Sequence, residues 1–356
     1  MIINKVLNSF YPKYTSKSLK KTINKLWKEL TTEEKKELYD EYDRFNKDLV
    51  GKEDVRVLKD MLLMNKKYRF RYEEYFMFNF KDMLMLKRRT FIPAKDMKAY
   101  IASVNDPNDK KALRDKYSCY LMYKKYYKRD MIKVSKDSDY KEFEAFVKKH
   151  PVFVKKPYNK AFGNGVELID SKKYKTIKSL YNELSNLEDA VVLEEKIIQS
   201  KEMSVLNSSS VNTVRMIPFI KSNGEVIIHL PFLRIGMNNA FVDNGGSGGL
   251  IVRINPKTGK TITNGFNELR EEFIKHPDTD VVLKGFQIPK WDEAVSLAKE
   301  LVVISPTLRY IGWDMALTDN GWVIVEGNGA TQFIGQQMTE CKGRKKEFEK
   351  LINFKK

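Results

Sequence analysis

Three side chains that carry oxygen atoms lie close together near the end of the sequence, within residues 312–328. Asp314 precedes an Asp-Asn-Gly segment (319–321) typical of a tight β-hairpin, and Glu326 and Asn328 follow that segment. Residues two apart on a strand share a face, so Glu326 and Asn328 should lie together, with Asp314 beside them on the paired strand. Two carboxylates and an amide carbonyl suit a hard cation such as Mg²⁺. A solvated hairpin with polar outward side chains is the alternative interpretation.

A second candidate site follows the apolar strand that ends in Lys155 and Lys156. Pro157 comes next, and then a loop containing Phe162-Gly163-Asn164-Gly165. Glycines allow backbone N–H groups to approach phosphate oxygens, and a lysine supplies a fixed positive charge. The stretch contains neither the Gly-Lys-Ser/Thr of a Walker loop nor a dinucleotide fingerprint. It therefore predicts a phosphate cradle of another kind.

Two further stretches could contact a bound molecule. The apolar strand 190–193 leads into Glu194-Glu195-Lys196-Ile197, where exposed main-chain groups can pair with the edge of an adenine. The glycine-rich segment 242–249, which includes Asp243, predicts a mobile loop near substrate or, alternatively, a plain flexible hairpin tip. Arg215 and Arg234 lie on predicted strands that lead into loops.

The elements around these residues change in character along the chain. Residues 1–110 carry helical signals, including a Thr31–Glu34 capping box followed by an amphipathic helix. The aromatic and arginine-rich stretch 68–80 could stack on sugars or bases, although such residues more often form core. From about residue 131 strands alternate with helices.

We therefore predict a helical N-terminal lobe at 1–110 and a region of mixed strands and helices after it. Residues 342–354 are predicted to form a basic helical tail.

Length and composition indicate a globular protein with a large core: 356 residues, 42% of them hydrophobic. No apolar run approaches the roughly 20 residues of a membrane helix, and the first residues lack the features of a signal peptide. Cys119 and Cys341 are too few for a disulfide framework, so a cytoplasmic location is expected. The net charge of +18 predicts attraction to phosphates, acidic polymers or anionic membranes, although a compositional lysine bias explains it equally well.

Four separated segments, in this order, resemble the ATP-grasp superfamily: Asp115-Lys116, residues 154–157 with their glycine loop, residues 192–196, and Asp314 with Glu326-Gly327-Asn328. The phrases Ser-Val-Asn-Thr-Val-Arg (210–215) and Ile-Gly-Trp-Asp-Met-Ala (311–316) resemble its sugar-transfer-associated branch, which includes proteins of the teichuronopeptide biosynthesis type. The resemblance covers residues 60–340. It implies an ATP-grasp fold of α+β class, in which two α+β lobes, at 111–200 and 201–356, hold ATP between their sheets after the helical N-terminal lobe.

The resemblance also implies roles for matching residues: lysines on the α- and β-phosphates, a glycine loop over the triphosphate, and a backbone hinge against adenine. The nucleotide-binding residues that it implies are Lys116, Lys156, Phe162, Gly163, Asn164, Gly165, Glu194, Glu195, Lys196, Ile197 and Glu202. The ligands that it implies for Mg²⁺, with two ions expected, are Asp314, Glu326 and Asn328.

One position departs from the family pattern. Many ATP-grasp ligases have an arginine two residues before the metal-binding aspartate, where this chain has Gly312. Arg215 or Arg234 would then have to steady an acyl phosphate, with Asp243 as the candidate proton acceptor.

The function expected from this resemblance is an ATP-dependent carboxylate–amine ligase that forms an amide through an acyl phosphate. The branch suggests that it joins an amino acid or peptide to a glycan-related or peptide acceptor, with an anionic glycan or lipid-linked sugar as a further partner and no nucleic acid. Two alternatives stay open: an ATP-grasp kinase that phosphorylates a hydroxyl, and a non-catalytic protein that binds an anionic polymer.

Overall fold

The computed structural model describes residues 17–46, 55–158, 165–241, 243 and 248–353. It divides into two compact units. We call the first the helical unit (Met1–Ser103, Leu269–Glu271 and Gln332–Lys356) and the second the sheet unit (Val104–Glu268 and Glu272–Thr331). The predicted boundary at residue 200 lies inside the sheet unit and stays a prediction.

Helices occur in both units and are numbered along the chain. They are α1 (Lys17–Glu29), α2 (Thr32–Phe45), α3 (Val55–Tyr68), α4 (Tyr72–Met77), α5 (Met85–Arg88), α6 (Ala94–Ala102), α7 (Pro107–Arg114), α8 (Lys116–Tyr127), α9 (Tyr140–Lys149), α10 (Ile177–Ser185), α11 (Lys201–Ser204), α12 (Trp291–Ile304), α13 (Ile334–Met338) and α14 (Lys345–Ile352). None of the helices in the described ranges combines the length and the apolar character that a membrane crossing requires.

The described strands all belong to the sheet unit. They are β1 (Met131–Val134), β2 (Val152–Pro157), β3 (Glu167–Asp170), β4 (Val191–Glu195), β5 (Thr213–Met216), β6 (Pro218–Ile220), β7 (Val226–Ile228), β8 (Phe232–Ile235), β9 (Leu250–Arg253), β10 (Gly265–Phe266), β11 (Glu272–Phe273), β12 (Gly312–Thr318) and β13 (Gly321–Asn328). The combination of helices and antiparallel sheets confirms the predicted α+β class.

The helical unit begins as the capping signal predicts. Thr31 Oγ1 accepts a hydrogen bond from Glu34 N at 3.1 Å, and Glu34 Oε2 accepts one from Thr31 N at 3.0 Å, which completes the box before α2. Phe78 and Phe80, in the aromatic stretch, are fully buried. These two rings therefore belong to the core, and the stacking role considered for the stretch is wrong for them.

The C-terminal helices pack within the same helical unit. Gln337 accepts a hydrogen bond from Ile92 N at 2.8 Å and returns one to Ile92 O at 3.0 Å. Tyr100 on α6 donates to Glu349 on α14 at 2.7 Å, and its ring lies against Phe348. The predicted basic tail thus contains helix α14, which buries Phe348 and Ile352 on one face.

Glu74 should make the helical unit sensitive to pH. This carboxylate is fully buried and accepts hydrogen bonds from Arg71 N at 2.7 Å and Ala94 N at 2.9 Å. Burial outweighs these bonds and raises the pKa of Glu74 to about 7. Below its ordinary pKa, Glu74 is neutral whether folded or unfolded. As the pH rises from about 4.5 to about 7, only the unfolded chain ionises freely, so folding loses on the order of 3 kcal/mol.

Glu74→Gln should therefore flatten the fall in melting temperature between pH 5 and pH 8. The adjacent Glu73→Gln is the control and should leave the wild-type slope unchanged. Equal slopes in the wild type and Glu74→Gln would contradict the assignment.

The smaller sheet of the sheet unit is antiparallel, with strand order β1-β4-β2-β3 in the described residues. Phe143, Phe146 and Val147 on α9 and Leu180 and Leu184 on α10 cover its apolar face. In β2 the alternation of the strand sends Phe153 into this core, while Lys155 and Lys156 lie at the strand's end. The sheet therefore holds Lys156 opposite Val192 of β4, two residues from Glu194 along that strand and on the same face.

The larger sheet has the order β11-β10-β9-β8-β5-β12-β13 among the described strands. Its core packs against α8 and α12, with Trp313 fully buried and 4.7 Å from the ring of Tyr123.

The apolar run 226–233 is typical of a single strand, but the structure divides it. Leu230 has a φ of 46° and Pro231 has no amide hydrogen, so the chain breaks into β7 and β8. β7 pairs with β6 in a separate two-stranded ribbon, while β8 enters the larger sheet.

Candidate active site

The hairpin β12–β13 brings the three predicted oxygen donors together in the sheet unit. Asp314 lies directly opposite Glu326, and Gly312 lies opposite Asn328. Gly321, at the turn, takes the positive φ of 89° that the Asp-Asn-Gly segment indicated. Asn328 Nδ2 lies 3.3 Å from Glu326 Oε1 and 3.5 Å from Asp314 Oδ2. The two carboxylates and the amide therefore face one point.

Asp314 is buried and held by two arginines. Arg215 donates to both of its oxygens, from Nε to Oδ1 and from the terminal nitrogen to Oδ2 at 2.8 Å, and Arg234 donates to Oδ2 at 2.9 Å. Burial opposes ionisation, but the two guanidinium groups outweigh it and lower the pKa of Asp314 to about 2. Asp314 is consequently a carboxylate at any ordinary pH.

Glu326 has the opposite electrostatic environment. Burial and the negative charge of Asp314 raise its pKa, while Lys156 and the two arginines act in the other direction. A buried pair of carboxylates of this kind favours a bound cation. The amide group of Asn328 lies between the two carboxylates and donates a hydrogen bond to each of them. Carboxylate and amide oxygens are the kind of ligand that Mg²⁺ prefers.

Gly312 shows how the chain accommodates the missing arginine. A Cβ atom at this position would lie 2.5 Å from Thr331 Oγ1 and 3.0 Å from Arg215 Cδ. Arg215 also donates to Thr331 Oγ1 at 3.0 Å. The side chain of Arg215, coming from the neighbouring strand β5, thus fills the space beside Asp314 that a larger residue at 312 would need.

Asp243 is buried and fixed by three donors. Its Oδ1 accepts from Arg234 at 2.8 Å, and its Oδ2 accepts from Thr213 N at 3.0 Å and from Thr213 Oγ1. Burial raises its pKa despite the adjacent Arg234. Thr213, Asp243, Arg234 and Asp314 therefore form one continuous chain of hydrogen bonds.

The two predicted phosphate-directed lysines lie near the hairpin. Lys116, at the start of α8, donates to Pro157 O at 3.2 Å, directly after Lys156 in the chain. Burial and the charge of Lys156 lower the pKa of Lys116, whereas Glu326 opposes the shift. Both lysines therefore interact electrostatically with Glu326, one of the predicted metal ligands.

Glu194, one of the predicted nucleotide-binding residues, forms an ion pair with Lys156. It is buried, and one oxygen pairs with Lys156 Nζ while the other accepts two hydrogen bonds from Arg129, at 3.0 and 2.7 Å. Burial alone would raise the pKa of Glu194, but Arg129 and Lys156 outweigh it and lower the pKa.

Arg129 was not among the predicted site residues. Its guanidinium also donates to the backbone carbonyls of Tyr127, Ile324 and Val325, and the last two directly precede Glu326. One side chain therefore joins the smaller sheet to the strand of the candidate metal site. The neighbouring Lys124, Lys125 and Lys128 made the segment resemble a solvated face, and only the position of Arg129 just before a buried strand distinguished it.

The predicted adenine hinge follows the end of β4. Glu195 accepts a hydrogen bond from Asp130 N at 3.0 Å, and beyond it the chain runs without regular structure through Lys196 and Ile197. Glu202 is exposed on α11.

Asp130, His150 and Glu195 also approach closely enough to hold a metal. However, Lys149 Nζ and His150 Nε2 lie 2.6 and 2.8 Å from the same Asp130 oxygen, so that oxygen already has two hydrogen-bond partners.

Part of the predicted glycine loop lies outside the described residues, namely Phe162, Gly163 and Asn164; the same holds for residues 244–247 of the second glycine-rich segment. Gly165 is described, with a φ of 76°, and a Cβ atom there would lie 2.8 Å from Pro157 Cγ. Only glycine fits that position without displacing the proline that follows Lys156.

A family model described as sugar-transfer associated ATP-grasp matches residues 96–353. No curated protein matches the chain.

Several solved structures are similar over most of the chain. The ATP-grasp ligase PsnB, complexed with minimal precursor, Mg and ADP, is 11% identical over 70% of this chain and 62% of its own, with a TM-score of 0.41. The ADP complex of purK, N5-carboxyaminoimidazole ribonucleotide synthetase, is 12% identical over 69% and 53%, with a TM-score of 0.43. D-alanine–D-alanine ligase from Bacillus anthracis, complexed with ATP, is 13% identical over 67% and 68%, with a TM-score of 0.37. The chain spans less than two thirds of the PsnB structure.

Proposed function

The chain belongs to the sugar-transfer associated ATP-grasp family, and from that premise we propose that it is an ATP-dependent carboxylate–amine ligase. The family match confirms the resemblance found in the sequence and the ATP-grasp fold. The observation that carries the proposal is the convergence of Asp314, Glu326 and Asn328 at one end of the hairpin, within the electrostatic reach of Lys116 and Lys156.

Asp314, Glu326 and Asn328 would be the protein ligands of Mg²⁺. We propose that two Mg²⁺ ions bind. When bound, the metal offsets charge on the phosphoryl group that is transferred. The carboxylate of Asp314 is already oriented for this role, because Arg215 and Arg234 donate hydrogen bonds to its oxygens.

Lys116 and Lys156 would bind the nucleotide phosphates. The Arg129–Glu194 pair fixes Lys156 in one place, so little reorganisation is needed when the phosphates arrive. The Phe162–Gly165 loop would cover the triphosphate, and the backbone of Glu195 to Ile197 would contact adenine, with Glu202 as a candidate ribose ligand.

The reaction has two steps. A substrate carboxylate oxygen attacks the γ-phosphorus, the bond to ADP breaks, and an acyl phosphate forms. An amine nitrogen then attacks the acyl carbon, phosphate leaves, and the nitrogen loses a proton to give the amide. Arg215 and Arg234 would steady the anionic acyl phosphate from the position where they flank Asp314.

Asp243 was expected to accept the amine proton. Its three hydrogen bonds favour a different role, in which it orients Arg234 towards Asp314. We therefore propose Asp243 as a positioning residue.

For substrates we propose an amino acid or short peptide and a glycan-related or peptide acceptor, in a cytoplasmic enzyme that serves cell-surface glycan assembly. The family description, sugar-transfer associated, supports this context. An anionic glycan or lipid-linked sugar as partner is compatible with the net charge of +18.

The direct test measures ADP release from Mg²⁺-ATP with amino acids, sugar acids and amino sugars, offered singly and in pairs, with mass analysis of products. We expect ADP only when a carboxylate and an amine are both present, with a product lighter than their sum by one water. A phosphorylated single substrate would instead identify a kinase. Binding of an anionic polymer without any turnover would support the non-catalytic alternative.

A further inference from the structure

Two leucines project from the helical unit between buried neighbours. Leu84 and Leu86 are 75% and 79% exposed, whereas Met83 and Arg88 on either side are buried. An isolated exposed leucine is ordinary, but two such residues on one short turn form a small apolar projection. We call residues 84–89 the leucine turn.

The leucine turn is rigidly anchored. Arg88 is fully buried beneath it, pairs with Asp60 on α3 at 2.7 Å and donates from Nε to Met83 O at 2.7 Å. Tyr75 donates to the same Asp60 oxygen at 2.7 Å. These contacts fix the backbone on both sides of the leucines, so their side chains are held in solvent instead of folding back onto the core.

Positive charge surrounds the projection. Lys87 and Arg89 lie within the leucine turn, and both are exposed. The exposed Lys342 lies close by, because Thr90 O accepts a hydrogen bond from Lys345 N at 2.8 Å and Cys341 Sγ contacts Phe78 O. Asp82 is the acidic residue beside this group, which leaves the surface cationic.

We propose that the leucine turn docks the protein on an anionic lipid bilayer. Leucine side chains can enter the boundary between lipid headgroups and acyl chains, while lysine and arginine contact the anionic headgroups. Apolar insertion and charge attraction together are sufficient for reversible membrane attachment. A protein interface is a poorer fit, since lysine is depleted from such interfaces and two leucines make too small an apolar centre. This function is separate from the proposed ligase activity and can be tested without it.

The test is sedimentation of the full chain with vesicles of phosphatidylcholine alone and of phosphatidylcholine mixed with phosphatidylglycerol. We expect binding to the anionic vesicles that weakens at raised salt. Leu84→Ser with Leu86→Ser should lower the partition coefficient roughly 100-fold, about tenfold for each leucine. Lys87→Gln with Arg89→Gln should lower it by roughly 25-fold, about fivefold for each charge.

Leu121→Ser is the matched control, because Leu121 is 56% exposed on α8 of the sheet unit. It should bind vesicles like the wild type, and the thermal unfolding of all variants should be unchanged. The proposal is overturned if the wild type ignores anionic vesicles, or if the double leucine variant binds them equally well. It is also overturned if the double leucine substitution abolishes self-association, measured by sedimentation velocity, and leaves vesicle binding intact. That result would identify the leucine turn as a contact between copies of the chain.

Discussion

Glu326→Gln should reduce ATP turnover at least about 100-fold while the protein stays folded, since removal of one preorganised charge contact typically costs that much in rate. Glutamine keeps the size of the side chain but loses the charge that would hold Mg²⁺. Because burial and Asp314 raise the pKa of Glu326, the native carboxylate opposes folding at neutral pH. The variant should therefore melt at the wild-type temperature or above it in the absence of metal.

The measurements are Mg²⁺-dependent ADP release and the melting temperature with and without Mg²⁺-ATP. We expect the nucleotide complex to stabilise the wild type and to have little effect on Glu326→Gln. Asp319→Asn is the control, because it removes a carboxylate from the turn of the same hairpin, at an exposed position. Turnover by Glu326→Gln close to that of the wild type would show that Glu326 does not bind the metal.

Arg129→Met should have the largest effect on stability. It leaves Glu194 buried with only one of its two cationic partners and removes the hydrogen bonds to Ile324 O and Val325 O. Breaking a buried pair from one side costs on the order of 3–5 kcal/mol. Arg129→Lys keeps the charge, but a single ammonium group cannot contact both Glu194 and the two carbonyls as the planar guanidinium does. Glu194 would then hold Lys156 less firmly, so the KM for ATP should rise.

Urea unfolding and ATP kinetics test this assignment, with Lys128→Met as the neighbouring control. Arg129→Met combined with Glu194→Gln should recover much of the lost stability, since no uncompensated charge then stays buried. Affinity for ATP should not recover, because Lys156 has lost Glu194 as well. A stability of Arg129→Met within about 1 kcal/mol of the wild type would refute the role of this pair.

The hairpin could be predicted from the sequence because its information is local. Turn chemistry at 319–321 and the alternation of β13 are enough to place Glu326 and Asn328 on one face. The capping box at Thr31 was predictable for the same reason. Arg129 was not, since its partners Glu194 and Ile324 lie 65 and 195 residues away in sequence.

Gly312 is an intermediate case. The sequence marked it as a departure from the family pattern and proposed Arg215 or Arg234 as its replacement. It could not show that the side chain of Arg215 packs against that glycine, because the approach depends on the pairing of β5 with β12. The break at Leu230 was also hidden, since an apolar run with β-branched residues predicts a continuous strand.

The pairing of Ile92 with Gln337 has a consequence for synthesis on the ribosome. These residues are 245 positions apart, so the helical unit cannot complete its hydrogen bonds until that length of chain has been translated. At roughly 5–20 residues per second this takes about 12–50 s. The whole of residues 104–331 emerges during that interval. The nascent chain is therefore expected to form its sheets first, and its earliest helices complete their hydrogen bonds only after Gln337 has been translated.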